Sequence, residues 1–315
     1  MASEPAWRPD PATAAASNMA RFLARCSARY ESAPRPDAPY RRWHAWSCEH
    51  AGEFWPAVWD DAALISDVGS DGTRWRHAVE QAGAMRPPRE PGGPRWFTGA
   101  RLNFAENLLR HRGSEPAIIA HGEGAPRLIV SRDDLIVQVA AFASALRSIG
   151  IAPGDRVAGF IPNVPEAVIA MLGAASIGAV WSSCSPDFGA QGVLDRFGQI
   201  APRVLVAGGG YCYAGKQIDC LPRVRDIVEA IPSIAHVVVV PPATSVAGDP
   251  ATLPDVGAIR GSLTWSAFLA LASRTEPRYE RLPFDHPLYI MYSSGTTGLP
   301  KCMVHGAGGT LLQLV

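Results

Sequence analysis

The chain has 315 residues, 47% hydrophobic and 18% charged, with 29 Lys and Arg balanced by 29 Asp and Glu. That balance leaves no basic excess to draw nucleic acid or an anionic membrane, so neither is expected as a partner. The length gives ample core for one large domain or two of ordinary size.

Residues 1–39 are rich in Ala, Pro and Arg, and Glu4, Asp10 and three early prolines interrupt any apolar core that a secretion signal would need. The stretch reads as a loosely attached leader with one amphipathic segment, Ser17 to Arg29, ended by the prolines from Pro34 to Pro39. From Tyr40 to Asp60, Trp43, Trp46, Phe54, Trp55, Val58 and Trp59 recur at near-helical spacings, which predicts helices with aromatic faces. His44 and Cys48 share one helical face there, but His50 points elsewhere and no fourth ligand is near, so no metal site is expected. Residues 94–110 read as a turn and an amphipathic segment with Leu102, Ala105, Leu108 and Leu109 on one side. Residues 40–112 are thus expected to form a helical extension, and residues 113–315 a separate body.

In that body, Ala117 to Ala120 and Arg127 to Val130 read as two strands, and Ser131 and Asp134 as a capping pair. The helix they start carries Leu135, Val139, Phe142, Leu146 and Ile149 at steps of four and three, and Gly150 ends it. Strand and helix then alternate: 156–161, 165–177, 180–184, 189–200, 204–207, 221–230 and 237–240. This alternation predicts an α/β fold with a mainly parallel, helix-covered sheet. Residues 241–262 read as a surface insertion or crossover loop, and Trp265 to Ala272 as a short helix. The most membrane-like run, Ala167 to Trp181, has fifteen residues with two glycines and falls short of a span. No membrane insertion is expected. Six cysteines without a CxxC pair fit reduced thiols and a cytoplasmic location.

Leu288 to Ser293 is a short apolar run that predicts a buried strand. Ser293, Ser294, Thr296 and Thr297 then place four hydroxyls within five residues, while Gly295 and Gly298 permit turns that gather backbone N–H groups into one concavity. Pro300 stiffens the exit, Lys301 puts a mobile cation at the rim, and Lys301 to His305 reads as a second strand. Such a loop suits a phosphate chain. It is no Walker loop, which needs GxxxxGK[ST] running into a helix. Gly210 to Lys216 does satisfy GxxxxGK after an apolar strand, but Gln217 stands where a Ser or Thr would hold magnesium, Tyr211 and Tyr213 crowd the loop, and no helical period follows at once.

Tyr292-Ser-Ser-Gly-Thr-Thr-Gly-Leu-Pro-Lys301 resembles the core signature of the adenylate-forming enzymes. Three further blocks resemble their acetyl-CoA synthetase-like branch: Trp46-Ser47 with Phe54-Trp55 and Val58-Trp59-Asp60; Trp96-Phe97 with Gly99, Arg101-Leu102-Asn103 and Asn107-Leu108; and Ser185 to Gly189 with Gln191 to Gln199. The last is similar to the acetoacetate-activating members of the branch. The resemblance runs from about Tyr40 to Val315 and implies that residues 113–315 are the first part of an AMP-binding domain. No helix-ending signal follows Leu311 to Val315, so the sequence reads as cut before a second subdomain is complete.

The resemblance implies an ATP-dependent ligase that joins acetoacetate to coenzyme A through an acyl-adenylate, with Mg2+. It assigns Ser293, Ser294, Gly295, Thr296, Thr297, Gly298 and Lys301 to the ATP phosphates, with Lys301 catalytic. It places Lys216 at a basic position that meets coenzyme A, although Tyr213 departs from a second such position; a solvated lysine is the alternative. Trp181, Asp187 and His305 border the substrate and adenylate pocket in the same comparison. For Asp187 a helix N-terminal carboxylate is the favoured reading over a substrate contact, His305 reads equally as a packed histidine, and Cys302, pointing the opposite way on the same strand, reads as a small core residue. The adenine pocket, the magnesium-binding glutamate, the ribose-binding aspartate and the adenylation lysine of such enzymes lie beyond residue 315. These 315 residues alone are therefore expected to be inactive.

Overall fold

The computed structural model describes residues 7–81, 83, 86, 90–242, 255–293 and 298–314. They fall into two units, Met1–Ala100 with Leu311–Val315, and Arg101–Thr310.

The first unit opens with α1 (Pro11–Ala15), capped by Asp10, and α2 (Asn18–Arg29), whose N-cap Ser17 accepts from the Ala20 amide. α3 (Tyr40–Glu49) and α4 (Ala51–Asp61) follow, then an antiparallel pair of β1 (His77–Glu80) and β2 (Arg95–Thr98). The leader is not loose from residue 18 onward. The apolar stripe of α2 brings Phe22, Leu23 and the buried Cys26 against Trp43, Trp46 and Ala57, and burying that stripe is what holds the helix in place. A second aromatic cluster joins Trp59, Trp75 and Phe97, with ring centroids 4.8 to 5.0 Å apart.

In the second unit β3 (Arg101–Leu102) leads to α5 (Phe104–Leu108). Here Phe104, Ala105 and Asn107 are buried and Leu108 is exposed, a correction to the expected stripe. Leu102, Ala105 and Leu109 of the expected stripe are buried, and Leu108 alone of the four turns outward. β4 (Pro116–Ala120) and β5 (Leu128–Ser131) form an antiparallel hairpin, and the Ser131 hydroxyl accepts from the Asp134 amide to start α6 (Arg132–Ser148). The parallel body follows as β6 (Arg156–Phe160), α7 (Pro165–Ser176), β7 (Val180–Cys184), α8 (Ala190–Ile200) and β8 (Val204–Gly208). Next come a hairpin of β9 (Gly210–Tyr213) and β10 (Lys216–Asp219), α9 (Leu221–Ala230), β11 (His236–Val240), β12 (Ser262–Thr264) and α10 (Trp265–Leu269). β13 (Leu282–Pro283) pairs with β3. β14 (Pro287–Ser293), β15 (Lys301–Gly306) and α11 (Ala307–Gln313) complete the described chain. α11 begins directly after β15, four residues earlier than the terminal Leu-rich run suggests.

Among the described residues seven strands make one sheet in the order β12-β11-β8-β6-β7-β14-β15. Every pairing is parallel except β14 with β15. The chain passes from β6 to β7 on one side, then crosses back through α8 to β8 on the other. Open α/β sheets hold ligands outside the carboxyl ends of their strands near such a reversal. Strand alternation sorts the faces. Ala158, Phe160, Val180, Cys184, Leu205, Ala207, Val237, Val239 and Ile290 pack with Val193 and Phe197 of α8 and Val224 and Ile227 of α9. Among the described residues no helix is long and apolar enough to cross a membrane.

Candidate active site

β14 ends at Ser293, which pairs with Lys301, the first residue of β15, so the intervening loop springs from the carboxyl end of the sheet. Ser294, Gly295, Thr296 and Thr297 lie outside the described residues. Gly298 has φ +103°, a backbone state that side-chain-bearing residues avoid, and Lys301 is exposed. The loop exit is tied to α8. The Gln199 side-chain amide donates to the Pro300 carbonyl at 2.9 Å, and its oxygen faces the Cys302 thiol at 3.7 Å. Cys302 is exposed rather than in the core, because β15 is the outermost of the seven strands.

Beneath the loop, the Ser182 hydroxyl donates to the Ile290 carbonyl at 2.9 Å and lies 3.0 Å from the Tyr292 hydroxyl. Burial pushes the Tyr292 phenol up to about 12, so it is a neutral hydrogen-bonding group at physiological pH. The Arg196 guanidinium of α8 stands 4.4 Å over the Phe188 ring and 5.8 Å from that of Tyr292, within cation–π range of both.

A second group of residues follows β7 and β8. Asp187 does not cap α8, whose N-cap Gly189 has no side-chain bond. Its carboxylate instead accepts from the Tyr211 hydroxyl at 2.6 Å and the Ser185 hydroxyl at 2.9 Å. The Tyr211 bond, then the Ser185 bond, hold that carboxyl below the usual aspartate range. Arg223 donates to the Pro186 carbonyl at 2.8 Å, so the 185–189 turn is fastened from both β9 and α9. Gly210 to Asp219, where the sequence offers a Walker pattern, is strand, turn and strand, with Lys216 opposite Tyr213. A Walker loop needs a helix at that point, and β10 stands in its place. The two turn residues, Ala214 at φ +50° and Gly215 at φ +75°, are those of a two-residue hairpin of type I′. Their amides donate to the Glu123 carboxylate of the β4–β5 turn, at 2.9 and 2.5 Å. Gly122, Glu123, Asn163, Gly208, Tyr211 and Val240 line a cavity of about 150 Å³ between these segments.

Trp181 and His305 lie elsewhere. Strand register puts Val157, Trp181, Tyr289 and His305 in one row across the sheet, four residues from the Ser293–Lys301 pair, or roughly 13 Å at the rise of a strand. Trp181 is buried across Gly159, and His305 packs its ring 5.1 Å from that of Tyr289. The carboxyl ends therefore gather Ser293, Gly298, Lys301, Asp187 and Lys216, while Trp181 and His305 form a deeper row. Gln199, Tyr211, Arg196 and Glu123 are additions that the sequence reading missed. Only the GxxxxGK spacing drew notice to the neighbourhood of Tyr211.

The sheet order, the reversal after β7 and the hairpin loop define an open α/β ligand-binding body with its polar groups at the strands' carboxyl ends. The family described as AMP-binding enzyme matches residues 106–315, and the chain belongs to that family. It is 45% identical over 316 aligned positions to the acetoacetyl-coenzyme A synthetase of Rhizobium meliloti (strain 1021), covering 99% of this chain and 44% of that protein. It is 40% identical to a malonamoyl-CoA synthetase of Penicillium aethiopicum, covering 93% of this chain and 39% of the other. The solved structure of acetoacetyl-CoA synthetase from Streptomyces lividans superposes with a TM-score of 0.85 at 36% identity, over 99% of this chain and 44% of that one. The chain thus spans less than half the length of these relatives.

Proposed function

We propose that this chain is the ATP- and acid-handling part of an acid–thiol ligase that makes acetoacetyl-CoA. The acetoacetate carboxylate attacks the α-phosphorus of ATP, giving acetoacetyl-adenylate and pyrophosphate; the thiol of coenzyme A then attacks the acyl carbon and AMP leaves. The similarity to the Rhizobium meliloti synthetase along almost the whole chain carries this reading. In it, Ser293 to Gly298 and Lys301 hold the β- and γ-phosphates. Charge gathers on the departing pyrophosphate, so donors and a cation aimed there stabilise the transition state more than the ground state, by about 3 kcal/mol for one well-placed group. Magnesium enters with ATP as the substrate complex. Lys216 meets coenzyme A. Asp187 fixes the turn that lies over the acid, and Trp181 and His305 floor the pocket from below. Buried thiols at Cys26, Cys184 and Cys220 fit a reducing cytoplasm.

The Penicillium aethiopicum relative favours a second reading of the acid, a short-chain carboxylate bearing a terminal amide. A site that hydrogen-bonds one distal group discriminates strongly against acids lacking it. The deciding measurement is acid-dependent pyrophosphate exchange in a polypeptide extended to the length of the relatives. Acetoacetate is expected to give the highest specificity constant, and Lys301→Ala to lower exchange about a hundredfold. Equal constants for acetate and acetoacetate would refute the assignment of the acid. The 315-residue chain alone is expected to form no thioester.

A further inference from the structure

Of the 29 Lys and Arg residues only two are lysines, Lys216 and Lys301. Arginine serves at every other cationic position, including those that pair with carboxylates on the surface, such as Arg29 with Asp60 and Arg203 with Asp155. Arginine's planar fork and lysine's compact ammonium are not interchangeable. Both lysines follow a glycine-bearing turn at the carboxyl ends of the parallel strands. Lys301 follows the loop after β14, and Lys216 follows the β9–β10 turn. In the first case Pro300 is held by Gln199. In the second the turn itself is held by Glu123.

We propose that Glu123 is a positioning residue for Lys216: its carboxylate, by taking both turn amides, locks the β9–β10 hairpin in the one register that presents the lysine ammonium to an anionic ligand. The inference rests on the reading of Lys216 as a coenzyme A contact and goes beyond it by naming what orients that contact. Three observations carry it. Ala214 is held at φ +50°, where a side-chain-bearing residue is at a disadvantage, so the turn needs an external partner. Both Glu123 oxygens are used, one on each amide, at 2.9 and 2.5 Å, and they come from 91 and 92 residues away. Lys216 is the next residue after Gly215 and pairs with Tyr213, so a change at the turn alters the direction of its side chain first. At its base the hairpin is fastened by the Tyr211–Asp187 bond, which leaves the Glu123 contact to govern the tip.

The 315-residue chain suffices for the test. Amide hydrogen exchange at Ala214 and Gly215 reads the clamp. The rate at which an amine-reactive acetylating reagent modifies Lys216, relative to Lys301 as internal reference, reads the ammonium, with and without adenosine 3′,5′-bisphosphate as the probe. Glu123→Ala is expected to speed exchange at both amides on the order of tenfold and to abolish probe protection of Lys216. Glu123→Gln, which keeps one accepting oxygen, is expected to fall between. Adding Ala214→Gly to Glu123→Ala is expected to restore slow exchange and protection, because glycine takes the positive φ unaided. A purely general loss of stability would not be rescued in this way. Unchanged exchange in Glu123→Ala, or full probe protection of Lys216 in that variant, overturns the proposal. Absence of probe protection in the wild type removes Lys216 as a coenzyme A contact and with it the functional half of the proposal, while the exchange rates still decide the clamp by themselves.

Discussion

Gly159 and Trp181 show how one missing side chain shapes the packing between two neighbouring strands of the sheet. A Cβ at position 159 would stand 2.6 and 2.8 Å from two ring carbons of Trp181, too close for real atoms, and both neighbours are strand residues with little room to shift. Gly159→Ala is expected to destabilise the fold by about 1–3 kcal/mol, measured as a lower denaturant midpoint at unchanged slope. Tyr292 makes a pH prediction. Its folded pKa is raised to about 12 by burial, above the ordinary tyrosine value near 10. The neutral phenol's contribution to stability is therefore complete below about pH 10 and is lost as pH rises from there toward about 12. Replacement by Phe should flatten the alkaline limb of the stability curve, and a limb of unchanged slope would show that another group causes it.

At the scale of elements, Asn103 joins α5 to the end of α7. Its fully buried amide lies 3.1, 3.1 and 3.0 Å from the carbonyls of Ala175, Ser176 and Glu280, and its oxygen caps the Glu106 amide. Asn103→Ala removes the donor shared by the three carbonyls and the cap on Glu106; the Ala175 and Ser176 carbonyls keep the Gly178 and Glu280 amides, so the loss is expected to cost about 1–2 kcal/mol. Asn103→Asp should cost more at neutral pH, since a carboxylate has no proton to give, and thermal unfolding of the two variants would rank them. The parallel body was legible in the sequence because each of its helices and strands carries its own period: α6 through α9 and β6 through β8 lie within a residue or two of the spans read from apolar spacing. The Asn103 junction, the β9–β10 hairpin and the Gln199 and Glu123 ties were not. The Asn103 junction and the two ties depend on partners 72 to 177 residues away, which local spacing does not record, while the hairpin is a local pairing that the GxxxxGK spacing masked. The exposure of Cys302 was hidden for a related reason, since apolar character gives no sign that a strand lies at a sheet edge.

For the whole molecule, formal charge sums to zero, so copies of the chain repel one another weakly. Against that background the outermost strand pair carries exposed apolar side chains on both faces, Met291 and Met303 on one and Val304 on the other. An open strand edge with apolar neighbours is a template for association. Val304→Lys is expected to raise the concentration at which the 315-residue chain begins to associate, followed by light scattering; an unchanged onset would place the contact elsewhere.

The pairing of β14 with β7 also sets a timetable for synthesis. Ser182 contacts Ile290 across 108 residues of chain, so β7 leaves the ribosome long before its neighbour exists. At ordinary elongation rates of about 5–20 residues per second the delay is roughly 5–20 seconds. During that time the nascent sheet ends at Val180–Cys184, an apolar strand with one unpaired side, and that interval is when a chaperone would be needed.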